Sequence, residues 1–319
     1  LHYDIFNGDA DGILALIQLR LSEPKTSTLI TGVKRDISLL QRVPIDSVTS
    51  ATVLDVSMEK NTEALNNLLN QQIPVMYVDH HRSGDIPSSP CLNAIINTAP
   101  DVCTSLLVND YLKGKHNLWA IAAAFGDNLK AVAQRHCHLN GLSGQLTNNL
   151  EALGTYVNYN GYGRDIDDLH YHPGNLYEKL KSYETPENLF AEKSSLFFDL
   201  ETSYQQDMTK ADSAEVLFDS DVCKVIALED ASWSRRVSGV YGNDLANRSP
   251  NKAHGVLTKN LDGSYTVSVR APLNNKQGAD EICVQFPSGG GRAAAAGINA
   301  LPEEQVETFI SSLFNFYKT

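Results

Sequence analysis

Asp9, Asp11, Asp55, Asp79, His80, His81 and Asp127 all stand at the ends of apolar runs, where packing alone gives no reason for a carboxylate or an imidazole. The densest group is Val75-Met-Tyr-Val-Asp79-His80-His81-Arg82, in which a buried-strand pattern opens onto a carboxylate, two imidazoles and a guanidinium. Alone it reads equally well as a polar turn. The turn Asn7-Gly-Asp9-Ala-Asp11-Gly12 adds weight to a site, because side chains two apart in an extended segment point the same way and their carboxylates can converge on one cation or on two adjacent ones. Helix capping is the plainer reading, but a cap needs one such residue and this turn holds three, with two glycines. Asp55 ends the run Ala51-Thr-Val-Leu, and a buried carboxylate there needs a cation, a donor or a proton. Asp127 follows the apolar stretch Leu118 to Gly126, as a further ligand candidate or as the junction of two helices.

The elements that must carry these groups alternate. His2–Phe6, Ala51–Val56, Ile73–Arg82 and Leu92–Ile96 have strand patterns, and helical patterns follow Gly12 and span Glu59 to Asn70. Strand, helix, strand at this spacing predicts an α/β fold with a doubly wound, mostly parallel sheet, whose ligands bind beyond the carboxyl ends of the strands. From Val102 to about Leu150 the pattern is helical. His136-Cys-His138 lies within it, and residues two apart on a helix face different sides, so it is read as no metal pair. Tyr156 to Arg164, with Asn158 and Asn160, is predicted as a loop that touches a substrate or merely turns.

The expected domains are 1–185, a helical connector at 186–215, and a smaller α/β domain at 216–319. In the last, Val222–Leu228 is strand-like, Arg235–Arg248 helix-like, and Gly255–Leu257 and Ser264–Arg270 pair around Leu261-Asp-Gly-Ser264. Gly289-Gly290-Gly291-Arg292 before Ala293–Ala296 is predicted as a glycine turn into a helix. Its exposed amides and the Arg292 fork, with Arg270 on a neighbouring strand, suit an anion.

Composition bounds the partners. The 319 residues are 42% hydrophobic and 20% charged, as in an ordinary globular protein with room for two domains. Twenty-six basic against 38 acidic residues give a formal charge of −12, which disfavours broad gripping of long nucleic acid but allows a small anion held by a few local cations. Cys91, Cys103, Cys137, Cys223 and Cys283 form no Cys-x-x-Cys pair, so neither a disulfide framework nor a thiolate zinc site is expected. With no charged-then-apolar leader and no run of some 18 apolar residues, a cytoplasmic, membrane-free protein is expected.

In this order and on these elements, Asp9-Ala-Asp11-Gly12, Asp55, Asp79-His80-His81 and Asp127 resemble the four motifs of the DHH phosphoesterase superfamily. Val267-Ser-Val-Arg270 and Gly289 to Gly297 resemble its C-terminal DHHA1 domain. The resemblance implies a hydrolase dependent on two divalent cations, manganese first, magnesium or cobalt otherwise. It places Asp9 and Asp55 on one ion, and Asp11, Asp55, His80 and Asp127 on the other. Asp79 then orients an imidazole, His81 lies near the scissile phosphate, and Arg270, Arg292 and Gly289–Gly291 hold the substrate's far end across a cleft. Arg82, directly after the two histidines, is a further candidate site residue, as are Asn7, Asn158 and Asn160. Many members carry a histidine four residues before the first aspartate; here that position is Ile5, with Asn7 the nearest polar residue. The glycine motif usually continues with histidine, and here with Arg292.

Oxygen ligands with one imidazole suit manganese, magnesium or cobalt. The leading expectation is a phosphodiesterase or phosphatase acting on a short oligonucleotide or a nucleotide, compatible with a homodimer. An exopolyphosphatase is the second, and a nucleotide-binding module without turnover the third. No basic stripe interleaved with aromatics favours long single strands, and no long duplex is expected.

Overall fold

The computed structural model describes residues 1–193 and 196–318. The chain divides into two compact units, Leu1–Thr202 and Ser203–Thr319. The first contains, in order, β1 (His2–Phe6), α1 (Ala10–Ser22), β2 (Thr28–Ile30), β3 (Ser50–Leu54), α2 (Thr62–Asn70), β4 (Val75–Asp79), β5 (Leu92–Ile96), α3 (Thr104–Tyr111), α4 (Asn117–Gly126), α5 (Lys130–Leu139), α6 (Gly144–Gly161), α7 (Pro173–Leu180) and α8 (Pro186–Ala191). The division falls inside α9 (Leu196–Ala211).

The first sheet is wholly parallel, in the order β2-β1-β3-β4-β5. The chain moves from β1 outward to β2, then returns to the other side of β1 with β3. The order therefore reverses at β1, and the carboxyl ends of β1 and β3 flank the opening where ligands bind in such sheets. On one face Tyr3, Ile5, Val53 and Tyr77 pack with Leu65 and Leu68 of α2. On the other, α1 is apolar nearly all round, with Ile13, Leu14, Leu16, Ile17 and Leu19 fully buried, as a helix covered by further helices must be. Asp4 of β1 and Arg20 of α1 are buried together: the guanidinium donates to both carboxylate oxygens, at 2.9 and 2.5 Å, and Ser27 adds a third bond at 2.6 Å. Burial would raise the Asp4 carboxyl, but these bonds hold it down to about 2.

The second unit contains β6 (Glu215–Asp219), β7 (Cys223–Leu228), α10 (Ser232–Arg248), β8 (Ala253–Lys259), β9 (Tyr265–Arg270), α11 (Ala279–Cys283), β10 (Gly289–Arg292), β11 (Ala295–Leu301) and α12 (Val306–Tyr317). Its mixed sheet runs β10-β11-β9-β8-β7-β6. One face packs Val225, Leu257, Val267, Val269 and Ile298 against Phe309 and Leu313 of α12, and α10 covers strands on the other.

Two expectations fail here. Tyr156 to Gly161 is no loop but the last turns of α6, because Tyr156, Val157 and Tyr159 are buried and the neighbouring amides find partners inside the fold. The glycine run does not start a helix either. Gly289–Arg292 and Ala295–Leu301 form an antiparallel pair, with β11 a central strand against β9, and sheet pairing overrides the helix preference of the alanines. Gly289 is required there, since a Cβ would stand 1.7 Å from the Cys283 carbonyl oxygen.

Among the described residues no helix is long and apolar enough to cross a membrane. The five cysteines are free thiols.

Candidate metal centre

β1, β3 and β4 deliver their polar ends to one place, and α1, α3 and α4 close on it from the other side. Asp9 is the N-cap of α1: its Oδ1 accepts from the Gly12 amide at 3.1 Å, while the Asn7 side chain accepts from the Asp9 amide at 3.2 Å. Its Oδ2 lies 2.5 Å from Lys34 Nζ. Asp11, in the first turn of α1, takes the Thr104 and Ser105 amides on its two oxygens, both at 2.7 Å. That ties α1 to the start of α3 and places Asp11 by two charge-assisted bonds.

Asp55 leaves β3 with φ at +58°, a left-handed conformation unusual for a residue with a side chain. Its amide is held by the Val78 carbonyl at 3.1 Å, and Thr104 Oγ1 donates to its carboxylate at 3.2 Å. Local strain of this kind persists where surroundings over-determine it, commonly at functional sites. Asp127 caps the end of α4. Its position depends on close helix contact: a Cβ on Gly126 would stand 2.6 Å from Ala10, and one on Gly154 would stand 1.9 Å from the Ala122 carbonyl oxygen.

His80 joins these carboxylates. Its Nδ1 donates to the Val102 carbonyl at 2.9 Å, which turns Nε2 toward Asp55, Asp11 and Asp127 at 3.4, 3.6 and 3.9 Å. Ligand atoms about 2.1 Å from one ion and at right angles to each other are about 3 Å apart, so this spacing is close to a loaded site. A backbone carbonyl fixing the far nitrogen is the usual support of a ligating histidine. His81 pairs instead with Asp79, at 2.7 Å from Nδ1, and its side chain is one-third exposed. Asp79 thus orients an imidazole, and the imidazole is that of His81.

The electrostatics ask for a cation. Asp55 is driven well above the ordinary carboxyl range by burial, then by Asp11 and Asp9, and Asp11 is raised by burial and by Asp127 and Asp9, against the pull of His80. His81 is raised as well: burial opposes it, but Asp79 and Asp55 prevail. Two groups of side chains are close enough to hold an ion among the described residues, Asp11–His80–Asp127 and Asp55–His80–His81. They share His80. Buried oxygens that repel one another around a fixed imidazole fit a divalent cation of the manganese or magnesium type.

The other candidates scatter. Asn158 is buried and its Oδ1 accepts from Lys34 Nζ at 3.1 Å, whereas Asn160 clamps the backbone of Tyr171 and is structural. Arg82 is exposed. In the second unit Arg292 lies opposite Ala295, and Ala295 opposite Arg270, in one cross-strand row; Gly290, Gly297 and Ser268 form the next row on the same face. Two arginines thus flank a surface of small residues. Arg270 donates to Asn243 Oδ1 at 2.6 Å and to the Gly239 carbonyl at 3.2 Å, which fixes it against α10. Lys34 is the residue that sequence reasoning missed.

No family model matches the chain, and no curated protein matches it in sequence. Solved structures do. A manganese-bound exonuclease RecJ superposes with a TM-score of 0.58 at 16% identity, over 99% of this chain and 90% of that one. A pGpG-specific phosphodiesterase from Vibrio cholerae gives 0.56 at 12% identity, over 100% and 99%. An exopolyphosphatase-related protein from Bacteroides fragilis gives 0.53 at 13% identity, over 99% and 92%. At these identities the likeness is one of fold, and it is the two-domain α/β fold that the DHH and DHHA1 resemblance implied.

Proposed function

We propose that the chain is a divalent-cation-dependent phosphohydrolase that cleaves a phosphodiester in a short substrate, of the size of a dinucleotide. The observation that carries the reading is the convergence of Asp11, Asp55 and Asp127 on His80 Nε2 at the carboxyl ends of the sheet. Asp11, Asp55, His80 and Asp127 would hold the ion. When bound, it supplies Lewis-acid activation of water and charge for the phosphoryl oxygens.

The chain's own groups do the rest. Thr104 and the start of α3 fix two of the carboxylates, so little reorganisation is needed as charge develops. The hydrogen bond between Nδ1 of His81 and Asp79 orients the imidazole, which would pass a proton to the departing oxygen. Arg270 and Arg292 supply guanidinium forks for a phosphate in the second unit.

Three features favour a short substrate. The net charge of −12 weakens binding of a long polyanion. The pGpG-specific phosphodiesterase, whose named substrate is a dinucleotide, is matched over 99% of its length. The arginine pair is local. The test is a panel of manganese, magnesium and cobalt against a 5′-phosphorylated dinucleotide, an aryl phosphodiester, adenosine 3′,5′-bisphosphate and polyphosphate. Turnover fastest on the dinucleotide is expected. Turnover confined to polyphosphate replaces the substrate assignment, and no turnover on any substrate overturns the enzyme reading.

A further inference from the structure

Asp9 is the one aspartate of the expected ligand set that belongs to neither ion-binding group. Both its oxygens are engaged, Oδ1 by the Gly12 amide and Oδ2 by Lys34. The lysine is placed by several independent contacts. Its carbonyl accepts from Asn7 Nδ2 at 3.0 Å and its amide donates to the Gly161 carbonyl at 2.8 Å. Its ammonium also reaches Asn158 Oδ1 at 3.1 Å, and the Tyr162 ring centre is 5.5 Å away. The loop that carries it passes so near β1 that a Cβ on Gly8 would stand 1.8 Å from the Gly32 carbonyl oxygen. The side chain of Asp9 is 4% exposed and that of Lys34 27%, so the pair lies at the inner wall of the site. Ile5, fully buried in the core, offers no donor from β1.

We infer that Lys34 stands in for one of two cations: its ammonium group occupies Asp9, and the chain holds a single divalent ion on Asp11, Asp55, His80 and Asp127. This rests on the metal reading proposed above, and it replaces with one ion the two that the resemblance in sequence implied. An ammonium group supplies a compact positive charge and hydrogen bonds but no coordination position. It answers Asp9 permanently, with no dependence on metal supply. Asn158, buried on α6, is then a positioning residue for the lysine rather than a substrate contact.

The test counts ions. Protein stripped with chelator, reloaded with excess manganese and desalted is analysed for manganese per chain by mass spectrometry, and its paramagnetic resonance spectrum is recorded. Wild type is expected to retain one ion per chain with the six-line spectrum of an isolated Mn2+. Lys34→Ala is expected to take up two, with the broadened spectrum of a coupled pair. Two coupled ions in wild type overturn this inference and leave the metal reading intact, as does a folded Lys34→Ala that stays at one. No ion in wild type overturns the metal reading, and this inference with it. If Lys34→Ala does not fold, the wild-type count and spectrum decide alone.

Discussion

Asp55→Asn separates the cost of the site from its use. Asp55 Oδ1 and Asp11 Oδ2 lie 3.4 and 3.6 Å from the same His80 nitrogen, so they are no more than about 7 Å apart. At an effective dielectric constant near 20, two unit charges at that distance repel by about 2 kcal/mol. Both side chains are nearly inaccessible, at 2% and 1% exposure, so water screens little of this. Asparagine removes the charge, keeps an oxygen for Thr104 Oγ1, and tolerates the left-handed backbone at this position. The sign is the reverse of a paired carboxylate. A carboxyl raised in the fold favours folding at low pH and opposes it above the raised value, so the gain from Asp55→Asn is largest at alkaline pH.

In chelator at pH 8 the variant should therefore be about 2 kcal/mol more stable than wild type. For a unit of this size, Leu1–Thr202, that is about 4–8 °C in the calorimetric transition. Manganese at 100 times its Kd should raise wild type by about 2.7 kcal/mol and leave the variant unmoved. A variant that melts at or below wild type in chelator, or gains the same shift with manganese, refutes the account of Asp55 as a ligand bound at the expense of stability.

Asp79→Asn should move the alkaline limb of the rate profile to lower pH, because Asp79 is what holds the His81 imidazole up, and His81→Ala should lower kcat by about a hundredfold or more; an unmoved limb removes His81 as the proton donor. His254 is buried and held down to about 4 by burial and by Lys252 and Lys224. Its depressed pKa gives stability above the unfolded value of 6.5 that is lost as pH falls toward 4, about 3 kcal/mol in all, and a urea series on His254→Gln should show that dependence flattened. Gly154→Ala would drive a Cβ into the Ala122 carbonyl oxygen, so it should cost about 1–3 kcal/mol and weaken manganese binding by displacing Asp127, both visible in one calorimetric titration series.

The carboxylates at strand ends were readable because a buried apolar run has no other use for an aspartate, and the parallel sheet followed from the alternation of patterns; the short strand β2, and with it the reversal at β1, was not read. Lys34 was not readable. It sits in a loop after β2 with no spacing signal, and its contact with Asp9 exists only because Gly8, Gly32 and Gly161 let three chain segments approach. The same limit explains Asp9, whose capping and metal readings use the same oxygens and differ only in what arrives from elsewhere. Asn158 and the alanines after Arg292 were misplaced for a related reason: local composition suggested a loop and a helix, and packing in α6 and pairing in the sheet decided otherwise.

The central claim is metal-dependent phosphodiester cleavage at Asp11, Asp55, His80 and Asp127. It is tested most directly by the initial rate of mononucleotide release from a 5′-phosphorylated dinucleotide as free manganese is raised, with wild type and Asp55→Asn side by side. Saturable activation of wild type from a negligible rate in chelator, with the variant at least about a thousandfold slower at every concentration, is the predicted result. Equal rates in the two proteins, or a wild-type rate indifferent to chelator, would contradict it.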